Sequence, residues 1–319
     1  MKNKIIITLF SLFAIQYASA KIENDSISRF TFVKMQLLDD CDACGCSASG
    51  GSMGFSSMLN SNFVGVRYFN QSYTSRDGIF ANSPWIDESF NTVQVWTRIP
   101  VTPKIQLAAL IPYQFHERAL TTGTENIQGL GDISVIATYS VYQTEKDSTL
   151  FTHNLQVGGG VKIPTGKFNE ANNSGSVNQS FQVGTGSFDY LFVTEYVIKK
   201  KDLGLNAMLN YTLKTENKKN YQYGNQLNYG GTLFYLLDFD AVKLMPQLGI
   251  AGEVYRSNKQ YGNVLPDTSG AILFSKFGLE AGKDKFSIGI NAMLPINQNL
   301  SSGRIEANYR WSVNLNYTL

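Results

Sequence analysis

The last sixteen residues restrict the fold most. Ile305, Ala307, Tyr309, Trp311, Val313, Leu315, Tyr317 and Leu319 alternate with Arg304, Glu306, Asn308, Arg310, Ser312, Asn314 and Asn316. Successive side chains of a strand point to opposite faces, so this segment is predicted as a strand with one apolar and one polar face. It is longer than the usual strand of a soluble sheet and suits a tilted membrane strand.

The pattern recurs upstream. Leu203, Leu205, Ala207, Leu209, Tyr211 and Leu213 share one face, as do Phe286, Ile288, Ile290, Ala292 and Leu294. Ile105 to Tyr113 and Ile133 to Val141 repeat it. About twelve such segments begin near Phe63, and an even count returns both ends of a bacterial barrel to one side. Short connections (Pro100 to Lys104, Lys199 to Asp202, Gly282 to Lys285) alternate with long ones rich in Gly, Asn and Ser. The long ones are Ser75 to Ser89, Glu117 to Gln128, Pro164 to Gly186, Thr215 to Asn225, Arg256 to Gly270 and Ile296 to Gly303. Short periplasmic turns and long extracellular loops mark an outer-membrane barrel. The expected fold is therefore all-β, a transmembrane antiparallel up-and-down β-barrel of about 12 strands over residues 62–319.

Composition agrees. Only 16% of residues are charged and 13% are aromatic, against a norm of roughly 25% charged in soluble domains. The net charge of +2 leaves no basic surface for nucleic acid. Residues 1–20 read as a signal peptide. Lys2 and Lys4 precede an apolar run, and Ala18-Ser19-Ala20 forms a small-residue cleavage site. The expected location is the outer membrane of a Gram-negative bacterium, with lipid as the first partner.

If the apolar faces meet lipid, the opposite faces line a lumen, because charge is costly in lipid. Candidate lining residues are Arg67, Trp96, Arg98, Gln114, His116, Lys162, Asp189, Glu195, Glu253, Lys276, Glu280, Arg304, Glu306 and Arg310. Two readings stay open for them: an internal salt-bridge network filling a narrow barrel, or a selectivity lining. The same faces carry Phe69, Leu110, Met208, Phe234, Met245, Phe274 and Met293. Such side chains suit a small hydrophobic or aromatic solute, or packing against a plug. An enzyme is not expected. Only His116 and His153 offer imidazole bases, and His116 is expected beside Glu117 in a charge pair.

Three motifs stand in order: Gly129-Leu130-Gly131-Asp132, Lys162-Ile163-Pro164-Thr165-Gly166, and Gln182-Val183-Gly184-Thr185-Gly186-Ser187-Phe188-Asp189. Their order and spacing resemble the outer-membrane barrel family named for the MetA pathway of phenol degradation. The resemblance runs from about Phe63 to the C-terminus. It implies a transport-like outer-membrane protein for small hydrophobic compounds, in the style of fatty-acid channels. Read on their own, the glycines suit turns at strand ends.

Residues 21–61 stand apart as a periplasmic or plug segment. They hold all three cysteines, in Cys41-Asp42-Ala43-Cys44-Gly45-Cys46. Cys41, Cys44 and Cys46 could converge on a soft metal, Cu(I) or Zn(II). A disulfide with one spare thiol and a redox pair are the alternatives. A metal-linked role in copper, zinc or iron handling is thus the alternative to solute passage.

Overall fold

The computed structural model describes residues 57, 59–76, 82–144, 150–171 and 177–319. The expected signal peptide and Cys41, Cys44 and Cys46 lie outside them. Twelve strands form one antiparallel meander. They are β1 (Phe63–Arg76), β2 (Trp85–Pro100), β3 (Ile105–Leu120), β4 (Gly123–Leu130, continued by Ile133–Gln143), β5 (Thr152–Ile163), β6 (Asp189–Lys200), β7 (Leu203–Leu213), β8 (Gln226–Tyr235), β9 (Lys243–Tyr255), β10 (Gly270–Lys283), β11 (Phe286–Leu300) and β12 (Ile305–Thr318). Each pairs with its sequence neighbour, and β1 pairs with β12. The sheet closes on itself, so no edge is left.

The alternation predicted from sequence sets the two faces. Val93, Val95, Leu107, Ile111, Leu205, Leu209, Leu248, Ile250, Ile288, Ile290 and Leu315 are exposed on the outside. A soluble protein would not expose so much contiguous apolar surface; a lipid-facing wall requires it. Exposed aromatics mark both ends of that wall. Tyr139, Tyr142, Phe151, Tyr235, Phe286 and Tyr317 ring the end with short turns, and Phe188, Tyr190, Tyr211 and Tyr309 the end with long loops. Girdles of this kind sit at membrane interfaces.

Two of the expected loops are largely strand. Glu117 to Gln128 is a hairpin extension of β3 and β4 turning at Thr121 and Thr122, and β11 runs on to Leu300. Polar composition alone does not separate a loop from a strand that projects past the apolar band.

The predicted face of β12 is also corrected at its start. A register shift opposite Ser72 and Tyr73 leaves Asn308 as an extra residue. Such a bulge reverses the sidedness beyond it. Ile305 and Ala307, expected toward lipid, are therefore buried inside, while Glu306, expected inside, is exposed. A second bulge, at Ile296, lies on β11. Near these bulges β11 and β12 stop pairing between Met293–Arg310 and Leu300–Ile305. The Gln298 side chain fills in for the ladder: its amide donates to the Ala307 carbonyl (3.2 Å) and its oxygen accepts from the Ala307 N–H (2.7 Å).

Candidate functional site

The inward faces define a lumen that changes character along its length. Arg67, Trp96, Arg98, His116, Lys162, Glu253, Lys276, Glu280 and Arg310 are all buried on the inward side, and Glu195 is half-buried. His116 has no charge pair with Glu117, because neighbours on a strand face opposite ways. It is buried, with Nε2 2.9 Å from Gln114 Oε1, and its ring lies 4.9 Å from Phe90; Glu117 is exposed. His153 faces outward at the short-turn end, its Nδ1 2.7 Å from the Tyr196 hydroxyl.

At the long-loop end the three Gly-rich motifs meet. β4 breaks at Gly131 and Asp132, where the Gly131 N–H donates to the Pro112 carbonyl. Pro112 has no ladder donor to lose at this irregularity. The break turns Asp132 into the barrel, where its carboxylate gathers the other two motifs. It accepts from the Gly166 N–H (3.0 Å), the Thr185 N–H (3.0 Å), the Thr185 hydroxyl (2.8 Å) and Lys162 Nζ (2.8 Å). Lys162 Nζ also lies 2.8 Å from Asp189. Asp189 in turn accepts from the Ser187 hydroxyl (2.9 Å) and the Thr215 N–H (3.0 Å). Buried charges persist when paired and hydrogen-bonded; here one lysine serves two carboxylates, and backbone and hydroxyl donors supply most of the remaining contacts.

Two glycines allow the loop strands to touch. A Cβ on Gly184 would lie 2.5 Å from the Gly166 carbonyl oxygen, and one on Gly166 would lie 2.8 Å from the Gly184 Cα. The sequence showed these motifs as turn elements. Their convergence on Asp132 was not visible, because it depends on contacts 34 and 53 residues apart.

The clasp folds the β5–β6 connection inward. Phe181 and Val183 are buried, and Phe181 sits 6.2 Å from Phe90, 6.4 Å from His116 and 5.3 Å below the Arg118 guanidinium. Arg118 is paired with Glu88 at 2.8 Å. Phe181 joins Phe69, Tyr73, Phe90, Phe274, Met293 and Leu300 in one buried apolar cluster. The loop thus carries Phe181 into the lumen, where it completes an aromatic collar beside the loop's own buried polar residues Asn178, Ser180 and Gln182.

Beneath the collar Arg310 and Glu253 bridge the interior, flanked by the Tyr73 and Tyr255 hydroxyls. Toward the short-turn end lies a cavity of about 350 Å³ lined by Arg98, Gln156, Glu195, Lys199, Asn206 and Phe234. Arg98 and Glu195 (2.9 Å apart) also line an apolar recess of about 40 Å³ formed with Ala108, Ile136, Val193 and Met208. Ser57 and residues 59–62 lie at this end. The Ser57 hydroxyl and the Leu59 N–H donate to Glu280 (2.9 and 3.0 Å), and Asn60 donates to Ser287 (2.6 Å). Among the described residues, no group of three or more His, Cys, Asp or Glu side chains could hold a metal ion.

Residues 85–317 match the family model described as "Putative MetA-pathway of phenol degradation". The chain belongs to this family. The collar and its clasp are built almost wholly from the matched residues. The structure is similar to the COG4313 outer membrane channel from Pseudomonas putida F1. The two share 12% identity over 82% of this chain and 97% of that one, with a TM-score of 0.63. The β domain of the Bordetella autotransporter BrkA aligns at 9% identity over 82% of this chain and all of that one, TM-score 0.49. A Pseudomonas aeruginosa FadL homologue aligns at 10% identity over 88% and 99%, TM-score 0.35. These last two likenesses are too loose to bear on function. No curated protein matches the chain. Family and fold together make this an outer-membrane β-barrel.

Proposed function

We propose that this barrel carries small hydrophobic or aromatic solutes across the outer membrane, with the long loops outside and the short turns in the periplasm. The observation that carries the reading is the aromatic and methionine cluster inside the lumen, Phe69, Phe90, Phe181, Phe274 and Met293. A water-filled pore has a polar interior. Here an apolar solute exchanges one apolar contact for another past Phe181, reaching the cavity and apolar recess beyond. The ion pairs hold the walls apart and in register.

The test is uptake of a fluorescent apolar probe by cells with an intact lipopolysaccharide layer. Cells carrying the protein should take it up several-fold faster than cells without it. Equal rates would remove the reading. The metal-linked alternative rests on the Cys41, Cys44 and Cys46 spacing, and metal analysis of the purified protein addresses it separately.

A further inference from the structure

Most charged side chains of the lumen that the structure describes meet an opposite charge or close hydrogen-bond partners. Arg98 meets Glu195, Arg118 meets Glu88, Lys162 meets Asp132 and Asp189, and Arg310 meets Glu253. Glu280 accepts from Ser57 and Leu59. Arg67 donates to Gln94 (2.6 Å) and lies 4.7 Å from the Trp96 ring. Lys276 is only 7% exposed, yet among the described residues no carboxylate lies within salt-bridge distance of it. Its Nζ reaches one acceptor, the Thr232 hydroxyl, at 3.5 Å. Gly249 stands in register between Lys276 and Thr232 and has no side chain, so the lysine stem lies across β9. Glu280 and Glu195 attract the charge from further off, and Arg67 repels it.

The surroundings point the same way. Gln247 on β9, diagonal to Lys276, has a buried Nε2 without an acceptor, as do Gln94 Nε2 and Asn314 Nδ2 further round the wall. Gln94 gives its carbonyl oxygen to Arg67, which leaves its N–H groups for the lumen. Met293 pairs with Lys276 across the strands, and Phe274 is two residues away on the same face; both are fully buried. An ionisable side chain inside a membrane protein marks a transport path more often than a structural accident. A cation and an amide donor beside an apolar pad fit a molecule with an anionic head and an apolar body.

We propose that Lys276, with Gln247 beside it and Met293 and Phe274 as its apolar floor, binds the carboxylate of a small aromatic or short aliphatic acid. This rests on the channel reading and narrows its solute class from apolar molecules to amphipathic anions.

Binding is tested apart from transport. The full-length protein in detergent is titrated with 4-fluorobenzoate, and with 4-fluorobenzyl alcohol as the uncharged control, following fluorine line widths by NMR. The acid should broaden and the alcohol should bind at least about tenfold more weakly, the scale of one charge-assisted contact. K276M and K276Q should weaken the acid by a similar factor and leave the alcohol unchanged, while K276R restores it. Heat-modified mobility on gels confirms that each variant forms the barrel. Equal binding of acid and alcohol, or equal binding of the acid by wild type and K276M, would overturn the proposal. Chloride that displaces the acid completely at equal concentration would also overturn it, making the site a simple halide contact. The probe-uptake experiment separately decides whether the barrel transports at all.

Discussion

Arg310 on β12 donates two hydrogen bonds to Glu253 on β9, at 2.7 and 3.0 Å, although β10 and β11 lie between their strands. The pair cuts a chord across the barrel interior, with the Arg310 guanidinium 4.4 Å from the Phe274 ring beneath it. It acts as an internal strut. Removing one partner leaves a buried charge uncompensated, at a cost of about 3–5 kcal/mol. R310M and E253Q should each lower the unfolding midpoint in denaturant. The double variant should recover a large part of the loss, since neither charge is then stranded. A double variant as unstable as the sum of the singles would show that the two residues do not act as a pair.

Asp132 holds the inward fold of the β5–β6 connection through three acceptor contacts, from the Gly166 N–H and the Thr185 N–H and hydroxyl, with Lys162 of β5 paired beside them. D132N keeps the shape but loses charge, and D132A loses the contacts as well. Both should release the connection, D132A more fully. The expected signs are protease cleavage within residues 164–188 and a larger single-channel conductance. A T185V variant, which keeps the Thr185 N–H contact, should show a smaller effect.

The glycine pair gives a steric version of the same test. G184A places a methyl group against backbone that cannot move aside. It should mimic D132A in protease sensitivity. G231A meets nothing within 4 Å and should behave as wild type. If both alanines are silent, the close approach of Gly166 and Gly184 is not what seats the loop.

Phe181 sets the width of the collar. F181A removes a ring from a cluster of aromatic neighbours and should raise conductance and apolar-probe uptake together. F181W should lower both. A rise in ionic conductance without a rise in probe uptake would separate the water path from the solute path.

The wall of the barrel was legible in the sequence because its signal is local. Leu203 to Leu213 and Phe286 to Leu294 state their faces residue by residue, and the lumen side of Arg67, Lys276 and Arg310 follows from parity. Parity fails where a single extra residue enters. Asn308 carries no mark that distinguishes a bulge from one more polar position, so Ile305, Ala307 and Glu306 were assigned to the wrong sides. The collar was illegible for a different reason. Phe181 lies in a polar loop, and what turns it inward is Asp132, whose contacts with Gly166 and Thr185 exist only once β4, β5 and β6 are in register. The Gly-rich motifs were visible as turns; that they share one carboxylate is a property of the folded chain.

The break in β4 also divides the protein's labour. Asp132, Lys162 and Asp189 come from three consecutive strands, so the clasp is assembled within one arc of the wall, while the Phe181 it carries packs against Phe274 and Met293 of the other. Lys276 and the Arg310–Glu253 strut stand on the other arc, β9 to β12. On the proposed reading, the charge at Lys276 and the carboxylate at Asp132 that seats the loop can change independently, whereas a change at Phe274 or Met293 reaches the collar through Phe181.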